Sequence, residues 1–374
     1  MKKVNVINSA VFITFLAMFG IINILSPIRT FSEMENRYLA QIPNLNFRNL
    51  RLGRVTTGME NFLSDQFFLR DKWVLLKSDI ELFTMKRENN GIFIGKDGFL
   101  LENYKGPRDN LYKNIDSINN LYALLPNKNF YFLGVPNSVE IFPHKLPPLA
   151  NPQGQGEVIE IIESNLSGDI PFINITETMR TNNHEYIYFK TDHHWTMEGA
   201  YFAYRYAGSF LGYNPYDFDD FRKDLVSDDF YGTYFSKANN RSTPPDKLFV
   251  LTPNFPVKYQ VRYSGKEEAF DKLYSSKHLE GRDKYSFFLD GNHPLVTISS
   301  DIENNKKILV IKDSYAHSFV PFLANHYSEI HMIDLRYFNT SLTDYIETNM
   351  IDEVLFLFNI STFSQDGNIL NFIP

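Results

Sequence analysis

Apolar residues follow three rhythms along this 374-residue chain, and each predicts a different kind of element. From Val4 to Leu25 they form an uncharged stretch whose polar interruptions are Asn5, Asn8, Ser9, Thr14 and Asn23, with Lys2 and Lys3 ahead of it. About 20 helical residues cross a bilayer core, and cations on the short leading side stay cytoplasmic. The stretch is therefore expected to be a signal anchor, residues 1–26, that holds the rest of the chain outside the cell membrane. Asn23-Ile24-Leu25-Ser26-Pro27 makes a poor cleavage site, which favours an uncleaved anchor over a removed signal peptide.

The second rhythm follows an extended stalk from Pro27 to Phe47. Met59, Phe62, Leu63, Phe67, Trp73, Leu76, Ile80 and Phe83 recur at helical spacing and predict one long helix from about Thr56 to Glu88. Asn89-Asn90-Gly91 ends it, and residues 92–101 read as a hairpin turning at Lys96-Asp97-Gly98. Stalk, helix and hairpin together occupy residues 27–105.

The third rhythm fills residues 106–374. Near-continuous apolar runs at Asn129–Pro136, Pro171–Ile175, Lys307–Ile311, Ile330–Leu335 and Glu353–Phe358 suit strands covered on both faces. They alternate with helical or mixed connections, including helices at Asn110–Leu125, Glu157–Leu166 and Thr196–Leu211, the last closed by Gly212. That alternation predicts an α/β fold on a doubly wound parallel sheet. Residues 213–295, rich in Asp, Tyr, Ser and Lys, break the rhythm and read as an insertion bordering the site described next.

Composition narrows the function. A net charge of −7 and a pI near 5.8 argue against a nucleic-acid-binding surface. The absence of cysteine excludes disulfides, thiolate catalysis, thiolate zinc sites and cysteine lipidation. Aromatic residues reach 16%; most belong to the core, while exposed Tyr or Trp would suit stacking on sugar rings.

Two segments carry candidate chemistry. Ligands of open α/β sheets bind at the carboxyl ends of the strands. The run Lys307–Ile311 leads through Lys312-Asp313 to Ser314, just before what reads as a helix. There a serine exposes its hydroxyl and can aim its own backbone N–H at a developing oxyanion, although a helix N-cap serine looks the same. The second segment, Thr191-Asp192-His193-His194-Trp195-Thr196, precedes a helix. Asp192 can orient the His194 imidazole, which would serve as base for a serine hydroxyl. His193 reads as structural support, and Trp195 as a wall of the site or a packing residue. Asn359 ends the last strand, where it is either an oxyanion donor or a turn residue. His317 is a rival base. A metal reading through Asp192, His193, His194 and His184 lacks an i, i+4 ligand pair.

These motifs resemble the DHHW protein family and, more broadly, the alginate O-acetyltransferase-like branch of SGNH-type hydrolase folds. The resemblance is carried by Thr191–Thr196 with Gly199-Ala200-Tyr201, and by Lys312–Tyr315 with Pro321-Phe322-Leu323 and Asp334-Leu335-Arg336. Glu35-Asn36-Arg37, residues 89–98, Tyr231–Lys237 and Gly291-Asn292 support it. It implies a circularly permuted motif order, with the acid–base segment before the serine strand. Carried across, Asp192 orients, His194 is the base, Ser314 is the nucleophile and Asn359 an oxyanion donor, with Arg336, Tyr315, Trp195 and His193 lining the site. Lys312 stands where such folds place a glycine, and no glycine occurs from Asn292 to Asp366. The Arg336-Tyr337 turn or Gly291-Asn292 would then supply the missing oxyanion donor.

The implied activity is O-acetyl transfer to a secreted or cell-wall polysaccharide, with a membrane-bound acyltransferase partner delivering acetyl groups and with neither metal nor cofactor. The alternatives are a carbohydrate acetylesterase using the same residues, and a non-catalytic, membrane-tethered polysaccharide assembly protein.

Overall fold

The computed structural model describes residues 2–368 apart from 33 and 36, so Asn36 of the Glu35-Asn36-Arg37 stretch lies outside the described residues. The chain divides into two compact units, residues 1–87 with 239–241, and residues 88–238 with 242–374.

The first unit begins with helix α1, Lys2–Leu25, of which Val6–Leu25 is long and apolar enough to cross a membrane. The helical rhythm of residues 56–88 is divided into α2, Arg54–Asp65, and α3, Arg70–Phe83. Leu69 breaks it in a left-handed conformation, φ 55°. Neither Gly nor Pro marks that break. Tertiary bonds hold it instead: Gln66 accepts from the Arg29 amide at 2.9 Å and donates to the carbonyls of Arg29 and Ala40.

In the second unit the residue 92–101 hairpin forms as expected, pairing Ile92–Ile94 with Leu100–Glu102, and Glu88–Asn89 adds a third strand. The central sheet has eight strands: β1 Asn129–Val135, β2 Phe172–Asn174, β3 Tyr259–Tyr263, β4 Ala269–Phe270, β5 Leu295–Ser300, β6 Lys307–Lys312, β7 Glu329–Ile333 and β8 Glu353–Asn359. Their spatial order is β4-β3-β5-β7-β6-β8-β1-β2. The five strands expected from apolar runs are β1, β2, β6, β7 and β8, and they pair in parallel.

The sheet as a whole is mixed, which corrects the expectation of a purely parallel one. Strands β3, β4 and β5 join it antiparallel. The reason is the short link between β5 and β6: residues 301–306 can reverse the chain, whereas a parallel return needs a crossover of a dozen residues or more. Part of the 213–295 stretch thus extends the central sheet.

Side chains of β6 and β8 alternate between two cores. Ile308, Val310, Leu355 and Leu357 pack with helices α6, Met197–Leu211, and α7, Ala316–Leu323. Leu309, Ile311, Val354 and Phe356 pack on the other face with α4, Asn110–Leu124, α5, Gly156–Asn165, α8, Leu342–Thr348, and α9, Ile360–Gln365. This is the period-two alternation of a strand buried on both faces. After β6 the chain leaves to the α7 face, and after the adjacent β8 it leaves to the α9 face. Their carboxyl ends therefore flank a crevice, where open α/β sheets place ligands.

Candidate active site

Ser314 stands in that crevice, two residues past the end of β6, half-buried. The turn that carries it is built around the buried Asp313 carboxylate, which accepts from the Tyr315 amide at 2.9 Å and the Asn359 amide at 2.8 Å. Those bonds tie the ends of β6 and β8 together without a glycine. Burial pushes the Asp313 carboxyl up, against those two amide bonds. Among the described residues the Ser314 backbone N–H makes no hydrogen bond.

The segment 191–195 reaches the same crevice from the amino end of α6. Residues 188 and 195 pair as an antiparallel bridge, which closes a tight turn between them. The buried Asp246 carboxylate holds that turn, accepting from the amides of Lys190 and Thr191 at 2.9 and 2.7 Å and from the hydroxyls of Thr191 and Tyr186, both at 2.6 Å. The Thr196 side chain caps α6 by accepting from the Gly199 amide at 3.2 Å.

His194 and Ser314 meet: the Ser314 hydroxyl lies 2.6 Å from His194 Nε2, and His194 Nδ1 lies 2.5 Å from Asp192 Oδ1. A carboxylate only accepts, so Nδ1 carries the proton and Nε2 is left to accept from the serine. Asp192 also accepts from the His194 amide at 3.0 Å, the Thr233 amide at 2.7 Å and the Thr233 hydroxyl at 3.1 Å. Burial pushes its carboxyl up, but the charges and hydrogen bonds of His193 and His194 outweigh that and hold it well below the usual range. Burial, reinforced by the charge of His193, pulls His194 down to about 4 despite Asp192. The imidazole is therefore neutral near pH 7, as a general base requires.

His193 is half-buried and donates from Nδ1 to Thr233 Oγ1 at 2.6 Å. Trp195 is wholly buried; its Nε1 donates to the Tyr315 carbonyl at 3.0 Å, so it packs beneath the serine turn. Tyr315 is buried too, its hydroxyl donating to the His193 carbonyl. Asn359 caps α9, accepting from the amides of Ser361 and Thr362, while its Nδ2 donates to the Val135 carbonyl at 3.0 Å and to Asn137 Oδ1 at 2.6 Å. Both of its amide hydrogens are thus committed to the fold.

Arg336 grips Asp334 through Nε at 2.9 Å and Nη2 at 2.6 Å. Asp334 also faces the buried Lys312 ammonium at 3.3 Å, which donates to His317 Nε2 at 2.8 Å and to Asn292 Oδ1 at 3.4 Å. His317, the rival base, is therefore engaged by Lys312. The departure from glycine at 312 is accommodated by a buried, fully partnered cation. His184 is exposed beside Glu185. Asp192, His193 and His194 offer three ligand atoms within 4.8 Å of one another, but the hydrogen bonds above occupy Asp192, His194 and His193 Nδ1.

Residues 109–333, more than half of the chain, match the DHHW protein family. The chain belongs to that family. Its fold is similar to a DHHW family protein from Eubacterium siraeum DSM 15702, with 23% identity and a TM-score of 0.66 over 76% of this chain and 97% of that one. It is also similar to Bacillus cereus PatB1, with 25% identity and a TM-score of 0.62 over 74% of this chain and 97% of that one. A structure of PatB1 with a sulfonyl adduct gives 24% identity and a TM-score of 0.63 over 76% of this chain and 100% of that one. No curated protein matches the chain in sequence.

Three participants in this DHHW site escaped the sequence reading. Thr233 bridges His193 and Asp192, and Gly232 lets its loop approach Asp192; both lie in the Tyr231–Lys237 stretch that carries part of the family resemblance, which was the available signal. Tyr285 lies flat on His194, ring centroids 3.7 Å apart and planes 6° apart, and its hydroxyl donates to the Ser314 carbonyl at 3.3 Å. No local spacing marks Tyr285.

Proposed function

We propose that this DHHW protein is a serine-dependent O-acetyltransferase acting on an extracytoplasmic or cell-wall polysaccharide. The observation that carries the reading is the unbroken chain from Ser314 Oγ through His194 to Asp192, with spacings of 2.6 and 2.5 Å. The resemblance of both motifs to alginate O-acetyltransferase-like proteins supports acetyl as the group and a polysaccharide as its acceptor. The permuted SGNH-like arrangement accords with this, since the acid–base segment precedes the serine strand in sequence. In this reading residues 1–26 anchor the chain, residues 27–105 connect, and residues 106–374 form the catalytic domain outside the membrane.

Ser314 Oγ attacks the acetyl carbonyl carbon while His194 Nε2 takes the hydroxyl proton. Asp192 holds the imidazole in the required tautomer and stabilises its cation. The tetrahedral oxygen is received by the Ser314 backbone N–H, since both side-chain amide hydrogens of Asn359 are committed to Val135 and Asn137. Collapse expels the donor's leaving group, which takes the proton from His194 and leaves an acetyl-serine. A sugar hydroxyl then attacks, giving its proton to His194, and Ser314 recovers that proton as the ester departs. The acetyl donor comes from a membrane-bound acyltransferase.

The test is incubation of the purified protein with an artificial acetyl ester, with and without oligosaccharide, alongside labelling by a serine-reactive sulfonyl probe. Acetylated sugar, with labelling lost in Ser314→Ala and His194→Ala, is the expected result. Acetate release indifferent to sugar identifies an esterase instead. Absence of any acyl or sulfonyl adduct on Ser314 overturns the serine mechanism and favours a non-catalytic assembly role.

A further inference from the structure

In the first unit, helix α3 carries an apolar stripe that is exposed among the described residues. Trp73, Leu76, Ile80 and Phe83 are exposed by 47, 47, 54 and 89%, and at 3.6 residues per turn they fall within an arc of roughly 80°. Soluble helices bury such a stripe. Lys72 and Lys77 border it on its two sides, with Asp79 a step beyond Lys72. Arg70 lies a step beyond Lys77, and Asp71 and Ser78 lie farther round; Arg70 and Asp71 are tied into ion pairs with Glu35 and Arg29.

The start of α3 is fastened to the last turns of α1. Asn23 of α1 accepts from the Phe68 amide at 2.6 Å, and the Phe19 and Phe67 rings stack with centroids 6.5 Å apart. Just past α1, the Arg29 backbone exchanges hydrogen bonds with the Gln66 side-chain amide, and its guanidinium grips Asp71 at 2.7 Å. If α1 crosses the bilayer, these bonds hold the first residues of α3 at the level where it emerges.

We propose that α3 is an interfacial membrane helix whose Trp73–Phe83 stripe lies in the outer lipid surface. The proposal rests on the reading of α1 as a membrane span. A stripe of large apolar side chains with a tryptophan and flanking lysines is the composition that partitions into the headgroup–acyl boundary, the lysine stems reaching back to water. Two anchors on one compact unit would fix its tilt at the membrane, which a single span alone does not.

The chain contains two tryptophans, and the other, Trp195, is wholly buried. Full-length protein reconstituted in phosphatidylcholine vesicles is therefore suited to fluorescence quenching by lipids brominated near the top of the acyl chain. The expected result is quenching of at least a third of the emission, abolished in Trp73→Phe, with little effect of aqueous iodide on Trp73. Trp73 emission quenched by iodide but not by brominated lipid overturns the proposal, as does protection from both, which would mean that protein covers the stripe. The triple variant Leu76→Gln, Ile80→Gln, Phe83→Gln should make Trp73 accessible to iodide while the protein stays vesicle-bound through α1. Extraction by alkaline carbonate reports on α1 separately: release of the unaltered protein overturns the span on which the proposal depends, whereas retention with unquenched Trp73 overturns the proposal alone.

Discussion

Gly232 passes so close to Asp192 that a Cβ built on it would fall 2.2 Å from both the Cβ and Oδ2 of the aspartate. The neighbouring residue explains the approach: the Thr233 amide and hydroxyl both donate to Asp192 Oδ2. Gly232→Ala is expected to push the loop or the carboxylate aside and break those bonds. Overpacking of this kind costs about 1–3 kcal/mol, visible as a lower melting temperature. Under the proposed mechanism ester turnover should fall further than that loss explains, because there the displaced group orients His194. Unchanged turnover in a folded Gly232→Ala protein would show that the Asp192 geometry is immaterial.

Asp192→Asn tests orientation without altering shape. An amide at 192 can donate to His194 Nδ1, which moves the ring proton to Nε2 and leaves Ser314 without an acceptor. The corresponding change in a serine protease triad costs about 10⁴-fold in kcat. Here a loss of at least ~10²-fold is expected, with sulfonyl labelling of Ser314 slowed in proportion. Near-normal rates would remove Asp192 from the mechanism.

How much of this was legible in the sequence differs by element. Strands β6 and β8 announce themselves because both faces are buried and their residues are apolar throughout. Strands β3 and β5 do not, since Tyr259, Gln260, Arg262, Thr297 and Ser299 mix polar residues into an edge that is only partly covered. The break at Leu69 is hidden because hydrogen bonds between Gln66 and the backbones of Arg29 and Ala40, distant in sequence, set it. At the site, Asp192, His194 and Ser314 could be named because two short motifs contain them. Tyr285 could not, because it reaches His194 from a 3₁₀ turn at Lys284–Phe287 with no periodic pattern of its own. Asn359 stands at a strand end where a cap and an oxyanion donor share one sequence signature, and its hydrogen bonds make it a cap.

Tyr285 and pH are linked through His194. In the proposed mechanism His194 works as a base when neutral, and burial with the charge of His193 draws its pKa from 6.5 to about 4. Protonation on the acid side removes activity, so kcat/KM for an acetyl ester should stay level from pH 7 to about 5 and fall as pH drops through about 4. The same depressed pKa makes the unfolded chain bind more protons between those two values, so this histidine's contribution to stability falls as pH falls across that window. In Tyr285→Leu the stacked ring is gone and water reaches the imidazole. The acid limb should then shift upward towards 6.5. An unshifted limb in the variant would mean that the ring does not keep His194 dry.

The buried cation at the foot of the serine turn gives an asymmetric prediction. The side chains of Lys312 and Asp334 are each 1% exposed and 3.3 Å apart. Removing one member of such a pair strands the other, at a cost of about 3–5 kcal/mol, whereas an apolar replacement of similar length that leaves no orphan costs far less. Asp334 keeps Arg336 as a partner when Lys312 is lost, but Lys312 keeps only the neutral His317 and Asn292 when Asp334 is lost. Asp334→Ala should therefore destabilise the fold by at least ~2 kcal/mol more than Lys312→Met, measured by urea unfolding at pH 7. The ordering should narrow at high pH, where burial, which already draws the Lys312 pKa below its usual value, lets the orphaned amine lose its proton. Equal losses in the two variants would show that Lys312 is not left uncompensated without Asp334.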